Sequence, residues 1–250
     1  MSDLKHLMPA PMRAWLRHRR GAAQKALIHL DRVTDWSVLR RTRPYRADFG
    51  VQRGSCIDRF YIEQFLALHA EDIRGHVAEM ESAQYTRQFG AGQVEQSDVL
   101  DINPLNQERT LTLDLEQTES APAARFDCII CTQTIFLIRD CRAAIRTLHR
   151  MLKPCGVLLA TMPGISPIVP PHLAAGMGED WWRFTRRSAQ SGFENTFGSG
   201  QVVAQACGNV LAATAFLHGL VQEELTRDEL EYHDPSFELI IAVRAVKAAN

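Results

Sequence analysis

Residues Phe126–Gly164 read FDCIICTQTIFLIRDCRAAIRTLHRMLKPCGVLLATMPG, and the order of patterns within them decides the fold. FDCIIC is apolar on both faces, as a strand inside a parallel sheet is, and it turns polar at Thr132, Gln133 and Thr134. Asp140 then stands where a helix N-cap belongs, and Ala144, Ile145, Leu148, Met151 and Leu152 form one apolar stripe behind it. Pro154-Cys155-Gly156 ends that helix before a second apolar run, VLLATMP. Strand, helix, turn and strand make a βαβ unit, so the strands are parallel and the class is α/β. Polar groups at the C-terminal end of a central strand line the crevice of such a sheet, which makes Thr132, Gln133 and Thr134 candidate ligand contacts.

Upstream, the same grammar continues. IDRFYIEQFLALHAEDI places Ile57, Phe60, Tyr61, Phe65, Leu68 and Ile73 near a 3.6-residue period, after a capping signal at Ser55–Asp58. His76–Gly90, HVAEMESAQYTRQFG, follows as a short strand and a turn in the position of a cofactor loop. QVEQSDVLDI reads as a second strand ended by Asn103-Pro104, and TLTLDLEQ as a short alternating third strand ending at Asp114-Leu115. Downstream lie a Pro- and Gly-rich run between Gly164 and Gly178, then EDWWRFTRRSAQSGFENTF, a strand QVVAQACGN, a helix VLAATAFLHGLVQEEL and a last strand FELIIAVRAV.

Taken in order, these segments resemble the class I S-adenosylmethionine (SAM) dependent methyltransferases from about Ile57 to the C-terminus. LHRMLKPCGVLLATMPG is similar to the family's L-x-x-x-L-K-P-G-G-x-L-L segment, with Cys155 for the first glycine. The family's first turn reads E/D-x-G-x-G-x-G; here Glu79 begins it, and Glu81, Ala83 and Tyr85 take the places of the three glycines. The resemblance implies a Rossmann-like sheet of seven mostly parallel strands with helices on both faces. It also implies SAM as cofactor, held by Glu79, Glu81 and Tyr85 at the first turn and by an acid at the end of the second strand on the ribose hydroxyls. Asp98 and Asp101, 19 and 22 residues after Glu79, both fit that acid. Asp114 and the backbone of Leu115 stand where the family holds adenine. Trp182 and Arg183, in a W-R-F-T segment similar to that of methyltransferases found beside glycan genes, are expected to contact substrate. Residues 1–54 are expected to form an N-terminal helical lid and 55–250 the catalytic domain.

Composition narrows the partners. The chain has 250 residues, 46% hydrophobic and 23% charged, and no apolar run nears the roughly 20 residues of a membrane helix. A cytoplasmic protein with no membrane partner is expected. Residues 1–60 hold 13 of the 28 Lys and Arg but 5 of the 29 Asp and Glu. A basic segment without aromatic interleaving fits an anionic substrate or a solvated helical face better than nucleic acid. The six cysteines show no disulfide framework, and Cys128 and Cys131, at i and i+3 on one strand, point to opposite faces, so no metal site is expected.

Methyl transfer from SAM needs alignment and water exclusion rather than an obligatory triad. Glu81, Tyr85, Tyr61 and His172 are the candidates for a base. The reading is a SAM-dependent methyltransferase acting on a hydroxyl or amine of a sugar or secondary metabolite, a small-molecule partner in biosynthesis, with a homodimer as the expected assembly. Two alternatives stay open. A carboxylate at Glu81 would pair with or deprotonate the ammonium of SAM, as intramolecular attack on its aminobutyl chain requires, and the missing glycines also fit a non-catalytic binding protein of the same fold.

Overall fold

The structure, a computed structural model, describes residues 41–169 and 179–249. The chain divides into Met1–Arg43 and Pro44–Asn250, and the fold below is that of the second unit. Residues 1–40 of the expected lid, and His172, lie outside the described residues.

Seven strands form one sheet: β1 (Gly75–Met80), β2 (Val94–Asp101), β3 (Leu111–Thr112), β4 (Phe126–Thr132), β5 (Leu152–Pro163), β6 (Val202–Cys207) and β7 (Ile240–Val246). Their spatial order is β3-β2-β1-β4-β5-β7-β6. Only β7 runs against its neighbours, β5 and β6; the other pairs are parallel. Helices α1 (Ile57–Leu68) and α5 (Val210–Leu217) cover one face, with Ile62, Phe65, Leu66 and Phe216 packed on Val77, Cys128 and Ile130. Helices α3 (Cys141–Met151) and α4 (Arg186–Phe197) cover the other, with Ile145, Leu148 and Phe193 packed on Ala78, Ile129 and Cys131. Cys128 and Cys131 therefore enter different cores, as the strand period requires. Two short helices, α2 (Gln84–Phe89) and α6 (Arg227–Glu231), complete the described elements used below. No helix among the described residues is long and apolar enough to cross a membrane.

Local chemistry explains where elements begin and end. The Ala143 N–H donates to Asp140 Oδ1 at 2.9 Å, so Asp140 caps α3 as its position predicts. The capping signal before α1 is not used: the residue before the helix is Cys56, without a side-chain cap bond, and Asp58 Oδ1 accepts only from the Arg59 N–H. The third strand is shorter than its alternation predicts. Asp114 Oδ1 accepts from the Glu116 N–H at 2.9 Å and turns the chain away from the sheet, leaving two residues paired with β2. The helix expected from Val210 to Leu225 stops at Leu217. Gly219 follows at φ +68°, and a Cβ there would stand 2.3 Å from the Arg46 carbonyl.

The KPCG turn also differs from expectation, because β5 begins at Leu152 rather than after Gly156. Phe126 pairs with Leu152 and Cys128 with Val157, so the intervening residues form a bulge. In it Cys155 is exposed and left-handed, at φ +62°. A non-glycine residue there costs roughly 1–2 kcal/mol. Cys155→Gly is expected to stabilise the protein by about 0.5–1 kcal/mol, since the flexible unfolded chain offsets part of the relief. The melting temperature should rise by about 2 °C, as read by a thermal melt.

Candidate active site

The chain leaves β1 toward β2 and β3 but places β4 on the other side of β1, so the two halves of the sheet diverge there. Open α/β sheets bind ligands outside the strand C-termini at such a point. A cavity of about 560 Å³ lies there. Met80 and Glu81 line it from the end of β1, Leu100–Asn103 from the end of β2 and the turn after it, Leu113–Glu116 from the segment after β3, and Gln133, Thr134 and Leu137–Arg139 from the segment after β4; Trp181 also belongs to the lining. Among the described residues, four acidic side chains (Glu81, Asp101, Asp114, Glu116) and one guanidinium, Arg139, belong to its lining.

The two candidate acids of β2 have different surroundings. Asp98 is outside the cavity and 6% exposed. Its Oδ2 pairs with His76 Nε2 (2.7 Å) and Arg125 (2.6 Å), and its Oδ1 accepts from Thr110 Oγ1 (2.6 Å). Burial alone would raise its pKa, but the hydrogen bonds from Thr110 and His76 and the charge of Arg125 hold it below the usual carboxylate value. Asp101, three residues on and therefore on the other face, stands at the cavity. Its Oδ1 accepts from the Asn103 N–H (2.9 Å) and its Oδ2 from Asn106 Nδ2 (2.7 Å). A carboxylate has about four lone-pair sites, so acceptor capacity is left for a ligand.

The first turn folds without glycine by dividing its residues between two tasks. Glu79 is 2% exposed and turned inward: Oε1 accepts from the Tyr85 N–H (3.0 Å), and Oε2 from the Thr86 N–H and Oγ1 (both 2.7 Å). It satisfies the open N–H groups of α2 rather than facing a ligand. Burial pushes its pKa up. Ala83 precedes α2 and is buried. Tyr85, in the place of the third glycine, packs its ring on Phe89, and its hydroxyl accepts from Arg59 at 2.6 Å. The ring is 4% exposed and outside the cavity, so the expected aromatic contact to the cofactor is corrected: α1 and α2 hold the side chain in the core. Glu81 alone of the three reaches the cavity. It is exposed, at φ +69°, the conformation a glycine would supply.

The remaining candidates separate in the same way. Tyr61 is buried, donates to the Leu230 carbonyl at 2.9 Å, and is pushed up to about 12 by burial, so it is no base for this cavity. Gln133 and Thr134 line the cavity. The Gln133 N–H continues the sheet to the Thr161 carbonyl at 2.9 Å. Thr132 is not part of the lining; it accepts from Thr134 Oγ1 through its carbonyl. Leu115 and Asp114 are both in the wall. Trp182 donates from Nε1 to the Ile138 carbonyl at 2.9 Å and Arg183 donates to the Pro167 carbonyl at 2.6 Å and to Asp180, so both tie backbone segments together instead of facing the cavity. Trp181, Arg139 and Glu116 line the cavity and are not expected from the sequence, nor is Asn106, which bonds Asp101 beside it. Among the described residues no group of three or more His, Cys, Asp or Glu could hold a metal ion.

The strand order, with Asp101 at the end of β2 and Asp114 after β3 lining one crevice, agrees with the class I SAM-dependent methyltransferases that the sequence resembles. The chain belongs to the methyltransferase domain family, whose model matches residues 48–197. A putative sarcosine dimethylglycine methyltransferase from Galdieria sulphuraria shares the fold at 14% identity and a TM-score of 0.50, over 76% of this chain and 86% of that one. The polyketide synthase ThaQ of Burkholderia thailandensis is 38% identical over 78 residues, 29% of this chain. The chain spans 4% of the length of that relative. Residues 48–197 are thus a methyltransferase domain, and S-adenosylmethionine is the cofactor of that domain. The residues present fit it: Leu113, Leu115, Leu137 and Ile138 offer apolar wall for a planar base, and the excess of carboxylates suits a sulfonium and an ammonium.

Proposed function

We propose that the enzyme methylates a hydroxyl or amine of a small secondary metabolite. Convergence of the Asp101 and Asp114 carboxylates on one cavity at the sheet's switch point carries this reading. In it Asp101 holds the ribose hydroxyls, Asp114 and Leu115 the adenine, and Glu81, Gln133 and Thr134 border the methionine end. The bound cofactor supplies an activated methyl group. The protein's residues orient it, hold its cationic end among carboxylates and keep water from the reacting atoms. The partial relative is a polyketide synthase, which supports a secondary metabolite over a sugar, and among the described residues four acidic side chains against one guanidinium favour a neutral or cationic acceptor over a phosphorylated one.

Calorimetric titration tests the cofactor arm. SAM is expected to bind more tightly than the uncharged-sulfur product S-adenosylhomocysteine, with the difference shrinking as salt screens the carboxylates. Equal affinities at low salt would remove the electrostatic account. A second reading, intramolecular attack on the aminobutyl chain, is favoured by one observation: among the described residues the Glu81 carboxylate has no hydrogen bond or ion pair while it faces the cavity. Glu81→Gln separates the two. Retained turnover with SAM binding within a few-fold of wild type would eliminate the second reading; turnover lost at unchanged binding, with SAM consumed by the wild type in the absence of any acceptor, would support it.

A further inference from the structure

Strands β1 and β2 are joined at their cavity ends by one side chain. Asn106 Nδ2 donates to the Glu81 carbonyl at 2.6 Å and to Asp101 Oδ2 at 2.7 Å. Its Oδ1 accepts from the Glu108 N–H at 2.9 Å, so the amide's orientation is fixed by its own loop. Both donors are therefore committed, one to each strand end. Glu81 is held left-handed without being glycine, with its N–H donating to the Leu100 carbonyl at 2.9 Å. Asp101 receives Asn103 on one oxygen and Asn106 on the other, which sets the plane of the carboxylate.

We propose that Asn106 is a positioning residue for cofactor binding, clipping the glycine-free first turn to Asp101 and aiming that carboxylate at the ligand. The inference rests on the assignment of Asp101 to the ribose. Asparagine suits the task because one NH₂ supplies two donors while the carbonyl of the same amide anchors the loop. Aspartate in its place keeps the bond from the Glu108 N–H and loses both donors, setting a second carboxylate against Asp101. The charged groups around it are Glu81, Asp101, Glu108 and Arg109; Glu108 lies 3.4 Å from Arg87, and the Arg109 guanidinium donates to the Asn103 carbonyl.

The test titrates the full chain with SAM at pH 8 and pH 5.5, wild type beside Asn106→Ala and Asn106→Asp. Asn106→Ala is expected to bind about tenfold more weakly at both values. Asn106→Asp is expected to bind more weakly still at pH 8 and to recover severalfold at pH 5.5, because two carboxylates within hydrogen-bond distance hold a shared proton. Wild-type affinity in Asn106→Asp at pH 8, or the same deficit in both variants at both pH values, would overturn the proposal, since a merely structural loop residue predicts the latter. Melting of Asn106→Asp alone and with Asp101→Asn gives a second readout. The pH dependence of stability that Asn106→Asp adds to that of wild type should vanish in the double variant, and its persistence would refute the coupling. If Asp101→Asn itself leaves SAM affinity unchanged, the ribose assignment fails; if it weakens binding while the Asn106 variants do not, only the positioning role fails.

Discussion

Asp101→Asn is expected to weaken SAM by about 1.5–3 kcal/mol, on the order of 10- to 150-fold in Kd, while the protein stays folded. A hydrogen bond to a charged acceptor is worth that much, and Asp101 stands at the cavity with lone pairs to spare beyond those taken by Asn103 and Asn106. An amide at this position has one acceptor oxygen rather than two. It keeps the Asn103 bond but meets Asn106 donor to donor, so the ligand loses a partner and the loop loses its clip. Stability should move little because the side chain is half-buried at a strand end rather than inside a core. Calorimetry with SAM, paired with a thermal melt, reads both quantities. Unchanged affinity in a folded Asp101→Asn protein would remove Asp101 from the site.

The sequence makes the sheet legible because its strongest signals are local. FDCIIC, the Asp140 cap and the stripe through Leu148 need no knowledge of what packs on them, and they alone require a parallel crossover. The KPCG turn is less legible: it reads as the end of the helix, whereas β5 already begins at Leu152 and Cys155 stands in a bulge at φ +62°. The candidate site is legible to the level of segments and not of side chains. Asp98 and Asp101 have identical chemistry and a three-residue separation, so they face opposite sides of one strand, and the deciding partners come from elsewhere. His76 is on β1, Thr110 precedes β3 and Arg125 precedes β4. Tyr85 reads as a loop residue facing a ligand until Arg59 of α1 and Phe89 of α2 are seen to hold it in the core. Asn106 carries no periodic or motif signal, since its importance arises from two contacts made 5 and 25 residues away. Trp181 is hidden by its neighbour: both their N–H groups donate to the Phe136 carbonyl, yet only Trp181 faces the cavity.

Asp98→Asn should show the opposite behaviour to Asp101→Asn, with stability lost and SAM affinity of the folded protein retained. Removing one member of a buried ion pair costs about 3–5 kcal/mol, because the partner's charge stays buried. Here Arg125 keeps about a third of its side chain in solvent, which puts the expected loss near 2–4 kcal/mol, roughly 4–16 °C in melting temperature for a domain of this size. His76 and Thr110 add to the loss, as an amide cannot accept all three of their bonds. The pH dependence follows from the depressed pKa. In wild type the ionised carboxylate binds its proton less readily when folded than when unfolded, so its contribution is full above the ordinary value of about 3.9 and is lost as pH falls through the folded pKa. Asp98→Asn has no such proton to take up. The stability gap between the two proteins, measured by urea unfolding at pH 5 and 3.5, should narrow at the lower value. A gap that widened toward low pH would contradict a stabilising carboxylate at Asp98. Weakened SAM binding in a variant of wild-type stability would return the ribose role to Asp98.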